Sequence, residues 1–134
     1  MTFVYADDSR NLLHLILVGK LDEAAAQECL CAVERSLVTL RDGFQILTDL
    51  RDLKEVDSDA VPVIDALMTL CNNRGVRKVV RVVREATGNH GFMIMSAFHY
   101  NHDVRFVTCD SLENARRLSG STGGSNKALD GIGE

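Results

Sequence analysis

The chain lacks nearly every signal that would announce a function. Its four cysteines form no C-x-x-C pair, no G-x-G-x-x-G or P-loop is present, there is no G-x-S-x-G elbow, and no internal repeat occurs. Long apolar runs are missing too: the longest, residues 12–18, is broken by His14 and falls far short of the roughly 20 residues a membrane helix needs. The N-terminus lacks the charged-then-apolar pattern of a secretory signal, so the expectation is a cytoplasmic protein that makes no membrane contact. An excess of positive charge is also absent. Fifteen Lys and Arg stand against nineteen Asp and Glu, giving a net charge of -4, which argues against nucleic acid as a partner. What remains is a 134-residue chain of single-domain size, able to bury roughly two thirds of its unfolded surface without a disulfide or structural metal.

The same absences bear on chemistry. Cys29, Cys31, Cys71 and Cys109 have mostly apolar sequence neighbours and no adjacent His or basic residue, so they read as buried, reduced thiols. His99 and His102 have the spacing of a ligand pair, but the helix carrying them must end near Asn101 and no acidic residue is placed to complete a site. His14, inside an apolar strand, reads as a satisfied sheet residue. Gly88 and Gly91 match no phosphate cradle. No metal, no cofactor and no catalytic group are expected.

Periodicity supplies the organisation. Extended runs at 2–6 and 12–18 flank Asp7-Asp8-Ser9-Arg10-Asn11, whose short polar side chains favour a turn, and form an N-terminal hairpin. Asp22 can cap a helix over 23–40 in which Ala26, Leu30, Val33, Leu37 and Leu40 make one apolar stripe. A strand at 44–48 follows Asp42-Gly43. Helix two places Ala60, Ile64, Leu67 and Cys71 on one face, and Pro62 must lie in its first turn because it has no N–H, which favours Ser58 or Asp59 over Asp57 as the cap. Gly75 is a left-handed helix exit. A strand at 79–83, a short helix at 91–100, a strand at 104–108 and a final helix opened by Asp110-Ser111-Leu112-Glu113 complete the chain. The domain spans 1–118, and 119–134, rich in Gly and Ser, is a flexible C-terminal tail. The order β-β-α-β-α-β-α-β-α predicts an α/β fold: a mainly parallel sheet with an N-terminal antiparallel strand and four helices.

The densest cluster of polar groups lies between the strand at 44–48 and helix two. Asp49, Asp52, Asp57 and Asp59 are read first as a solvated loop and helix cap, since carboxylates at a helix N-terminus contribute about 0.3–1 kcal/mol there. Arg81 interrupts the Val79-Val80 and Val82-Val83 pairs of a buried strand, where a lone charge is costly. Asp49 is its expected partner, with Asp57 second; the alternative is that Arg81 reaches past thin cover to water.

Three places carry a family resemblance: Leu17-Val18-Gly19-Lys20-Leu21-Asp22, Ile46-Leu47-Thr48-Asp49-Leu50, and Val56-Asp57-Ser58-Asp59-Ala60. In their order and spacing they resemble the STAS domain, the fold of the anti-sigma factor antagonists, over residues 3–118. The resemblance implies a regulatory protein whose D-S-S/T turn is phosphorylated on its second hydroxyl by an anti-sigma serine kinase. Asp57 matches the leading Asp, Ser58 the first hydroxyl and Asp59 the phosphoacceptor. Asp59 cannot carry a stable phosphoester and places a permanent charge there, while Ala60 replaces the Gly that normally follows. The standard switch is therefore missing, and Ser58 is the remaining phosphoacceptor candidate.

The leading expectation is a non-enzymatic interaction module, anti-sigma factor antagonist-like, that meets an anti-sigma factor or serine kinase through Asp57, Ser58, Asp59 and Asp22. A response-regulator-like receiver with Asp49 as acceptor ranks below it, because Gly19-Lys20 and Cys109-Asp110 stand where that family has an acidic pair and a Lys. A small-molecule or lipid carrier lined by residues 92–98 is the third reading. In that segment Phe92, Met93 and Met95 spread too far around a helix to join one buried face, so Met93 is expected to mediate homodimer or partner contact.

Overall fold

The computed structural model describes residues 1–84 and 104–120. Within them a five-stranded sheet runs in the order β1 (Thr2–Asp7), β2 (Leu12–Leu21), β3 (Gln45–Val56), β4 (Lys78–Val82), β5 (Arg105–Cys109). The β1–β2 pair is antiparallel and every other pair is parallel, as the element order predicts. Helices α1 (Glu23–Ser36), α2 (Val61–Asn73) and α3 (Leu112–Gly120) follow β2, β3 and β5. The expected helix at 91–100, with Met93, His99 and His102, lies outside the described residues. So does 121–134; α3 itself ends at Gly120, inside the stretch assigned to the tail.

Alternation along the strands sorts their side chains onto two faces. The first carries Leu13, Leu15, Leu17, Leu21, Ile46, Leu50, Leu53, Val79 and Val83, which pack against Ala26, Cys29 and Val33 of α1 and Ile64, Leu67 and Cys71 of α2. The second carries Leu12, Leu47, Val80 and Val82, packed against Ala115 of α3. The helical stripes follow the predicted periodicity, with Leu30 partly buried at the margin of α1, but α1 ends at Ser36 and not at the expected residue 40: Leu37–Thr39 tighten into a 3₁₀ turn that still buries Leu37, and Leu40 is extended.

β2 has 10 residues and β3 has 12. The difference is taken up by two bulges: Ile16 pairs with Asp49 but Val18 with Asp52, and Gly19 pairs with Leu53 but Lys20 with Glu55. β3 therefore continues well beyond the expected end at residue 48. The charged stretch after Asp49 had suggested a loop, but Leu53 is buried against the core and the long β2 supplies a backbone partner through Val56. Gly19, at φ 79, lies within β2 instead of ending it.

The turns follow local chemistry. Asn11, left-handed at φ 53, closes the hairpin and ties it to the approach to β3, its Oδ1 accepting from Arg41 N at 2.8 Å and its Nδ2 donating to Arg41 O at 3.3 Å. Gly75 is left-handed, as expected, and a Cβ there would collide with the Asp42 carboxylate. Asp22 caps α1 through Ala25 N at 2.8 Å. The cap of α3 is Ser111, whose Oγ accepts from Asn114 N at 3.2 Å, and not the Asp110/Glu113 arrangement expected.

Candidate functional site

The register that pairs Leu21 with Val56 brings the residues after them together. Asp57 N donates to Leu21 O at 3.0 Å, and Asp22 follows Leu21 directly, so the heads of α1 and of the turn before α2 share the carboxyl edge of the sheet. Asp57 precedes a single 3₁₀ turn, Ser58–Ala60, closed by Ala60 N donating to Asp57 O at 2.9 Å. Its side chain makes no capping bond; it faces Lys20, with Nζ–Oδ1 at 3.6 Å. Asp22, Ser58 and Asp59 are exposed and Asp57 is half-buried. The sequence reading had Ser58 or Asp59 capping helix two. Instead the 3₁₀ turn intervenes, the cap position is Ala60, and no side chain caps α2. Ser58 and Asp59 thus stand exposed in the turn, and neither side chain caps the helix.

Ala60 is fully buried in the first-face core and has φ -80. A glycine is not needed at such a φ, and the methyl contributes packing where a glycine would leave a gap.

The expected Arg81–Asp49 pair does not form. Arg81 is in register with Thr48, and Asp49 with Val82, so alternation puts the two on opposite faces. Arg81 lies on the first face with Val79 and Val83, 9% exposed. Asp49 is held by Arg51, two residues along on its own face: Arg51 Nε donates to Oδ1 at 2.9 Å, Nη2 to Oδ2 at 2.8 Å, and the Arg51 amide to Oδ1 at 3.1 Å. Burial works to raise the Asp49 pKa, but these bonds outweigh it and hold the carboxyl below the usual range. A receiver needs its acceptor open at a strand end; Asp49 lies mid-strand with both oxygens engaged. Arg51 was missed because residue 51 was assigned to a loop, where an i, i+2 pair has no defined geometry; in a strand that spacing shares a face. Alongside, Arg84 Nη2 donates to Asp52 Oδ1 at 2.8 Å.

Cys29 and Cys71 are buried and burial pushes both thiols up to about 12, so they are neutral core side chains. Cys31 is exposed, against expectation, and Cys109 is half-buried. Among the described residues no group of three or more His, Cys, Asp or Glu could hold a metal ion, and no helix is long and apolar enough to cross a membrane.

No family model matches the chain, and no curated protein matches it by sequence. Solved structures do. The chain is similar to an uncharacterised DUF3478-family protein with a SpoIIAA-like fold from Shewanella loihica PV-4, at TM-score 0.64 and 14% identity over 88% of this chain and 91% of that one. It is also similar to the anti-sigma factor antagonist SpoIIAA in its unphosphorylated form, at TM-score 0.60 and 14% identity over 90% of this chain and 100% of that one. An anti-sigma factor antagonist from Mycobacterium paratuberculosis matches at TM-score 0.55 and 14% identity, over 90% and 94%. The fold is STAS-like. In this STAS-like chain Asp22, Asp57, Ser58 and Asp59 meet on one exposed edge, whereas Met93 lies outside the described residues.

Proposed function

We propose that this protein is a non-enzymatic, cytoplasmic regulatory module that docks a protein partner through the acidic edge formed by Asp22, Asp57, Ser58 and Asp59, in the manner of an anti-sigma factor antagonist. The observation that carries the reading is the exposed Ser58 and Asp59 beside the capped head of α1, on a STAS-like fold. The partner is an anti-sigma factor or serine kinase; neither nucleic acid nor membrane is part of the function. The standard phosphoacceptor is absent, because Asp59 stands at that position and already supplies the negative charge that phosphorylation would add. Binding is thus constitutive with respect to residue 59, and Ser58 is the one hydroxyl of the turn open to modification.

The test is affinity capture from the source cell with the full chain as bait, followed by mass spectrometry. Wild type retains an anti-sigma factor or serine kinase and Asp57→Arg/Asp59→Arg loses it; equal retention by both overturns the acidic edge as the contact. Phosphopeptide mapping with that kinase is expected to find no phosphate at residue 59, and stoichiometric phosphate at Ser58 would show a working switch.

A further inference from the structure

Strand β1 forms one edge of the sheet and pairs with β2 alone. Which backbone groups that pairing uses is settled at its start. Val18 N donates to Met1 O at 2.9 Å and the Met1 amino group donates to Val18 O at 3.0 Å, so these two residues exchange bonds. In an antiparallel ladder such pairs recur at every second residue. The register runs without a shift along β1, so Phe3, Tyr5 and Asp7 turn their N–H and C=O groups toward Ile16, His14 and Leu12, while those of Thr2, Val4 and Ala6 point away from the sheet. No other backbone group of the described residues bonds to them.

An edge of this kind is normally blunted by a charge, a proline or a bulge. β5, at the other edge, opens on the exposed Arg105. Between Thr2 and Ala6, β1 has none of the three; its one charged residue, Asp7, stands at the end. The edge is an unprotected template for another strand.

Its own sequence selects that strand. When a second β1 lies antiparallel to it with Val4 opposite Val4, Thr2 falls opposite Ala6, and the three outward N–H groups of each strand meet the three outward C=O groups of the other. Sliding one ladder step in either direction leaves Thr2 or Ala6 without a partner. In the same register Phe3 stands opposite Tyr5 of the second copy, twice, at non-hydrogen-bonded positions where side chains approach most closely. Both rings are about half exposed in the single chain, at 47% and 48%, and offset pairing would cover them. The two Asp7 carboxylates lie at opposite ends of the paired strands, about 20 Å apart, so no like charges meet.

We propose that β1 is the pairing edge of a two-fold homodimer, in which antiparallel β1 strands centred on Val4 join two five-stranded sheets into one. The backbone supplies the strength and the rings choose the register. A two-fold axis normal to the sheet keeps α1 and α2 of both copies on one side and sets the two acidic edges at opposite ends, both open. The dimer therefore stands independently of what binds the acidic edge.

Sedimentation velocity and amide hydrogen exchange followed by NMR, each on the full chain across about a hundredfold range of concentration, test this. A monomer–dimer equilibrium is expected, in which the amides of Thr2, Val4 and Ala6 slow as the dimer fills while those of Phe3, Tyr5 and Asp7 are protected at every concentration. Thr2→Pro/Ala6→Pro removes only outward donors, so it is expected to weaken dimerisation at least about a hundredfold and to leave the β2 pairing in place. Continued protection of amides 3, 5 and 7 shows that the variant is folded; if that protection is lost, the wild-type exchange pattern alone decides. A chain that is monomeric at every concentration overturns the proposal, as does a dimer that the double proline variant leaves intact. Slowed amides at 2, 4 and 6 that ignore concentration would place another segment of the same chain on the edge and overturn it too. A dimer that protects only two of the three amides overturns the register centred on Val4.

Discussion

The two faces of one sheet make a controlled comparison, because the same strands supply both. On the first face, Leu13, Ile46 and Val79 disappear beneath α1 and α2. On the second, among the described residues, the portion under α3 is sealed, and Phe3 and Tyr5 of β1 are half exposed. Sequence alternation drives the difference: inward positions of β1 and β2 are mostly aliphatic, whereas outward ones include Phe3, Tyr5 and His14, side chains with a large flat surface and, in two cases, a polar tip. Stability is concentrated on one side of the sheet, and part of the other side keeps apolar rings in contact with water.

The comparison breaks or sharpens under substitution. Leu13→Ala on the sealed face should cost about 3 kcal/mol in urea unfolding, and a cost below about 1 kcal/mol would show that the first face is not the main core. Arg51→Ala should cost about 2 kcal/mol at neutral pH, by leaving the Asp49 carboxylate buried without its charge-assisted bonds. Asp49→Asn in the same background should recover part of that loss. Acid sharpens the point. The folded pKa of Asp49 is depressed, so its contribution is fully present above the unfolded value of about 4 and is lost as pH falls through the lower folded value. Arg51→Ala should flatten that limb of a stability-against-pH curve. His14 acts higher on the scale: burial, chiefly, lowers its folded pKa, so stability should decline as pH drops below about 6.5 and level off beneath the folded value, a slope absent in His14→Gln. The smallest effect belongs to the open face, where Phe3→Ser should change stability by less than about 0.5 kcal/mol. A cost near that of Leu13→Ala would erase the distinction between the faces.

Much of this was legible in the residues. The stripe of α1, the caps at Asp22 and Gly75, the hairpin and the parallel order follow from periodicity and turn chemistry alone. The acidic edge was legible as a set of residues but not as a geometry: nothing in Val56-Asp57-Ser58-Asp59 specifies a 3₁₀ turn over direct helix entry, since both satisfy Pro62. The length of β3 escaped because its second half is charged, and what makes it a strand is a partner 34 to 35 residues earlier. Arg81 and Asp49 were matched on charge and proximity, which ignore the side of the sheet each occupies. The exposure of Phe3 and Tyr5 could not be read at all, because whether those rings are covered depends on where other elements land on that face.

The paired bulges of β3 have a consequence for how this chain tolerates change in length. Ile46 and Leu50 face the first core on even positions, Leu53 on an odd one after the first bulge, and Val56 on an even one again after the second. Each extra residue shifts the phase of the strand by half a period, and the second restores what the first displaced. Deleting one residue between Leu50 and Val56 would leave the strand out of phase, turning Val56 outward and rotating the turn that carries Asp57, Ser58 and Asp59. Removing both would return the strand to register, so insertions and deletions in this segment should be accepted in pairs and rejected singly.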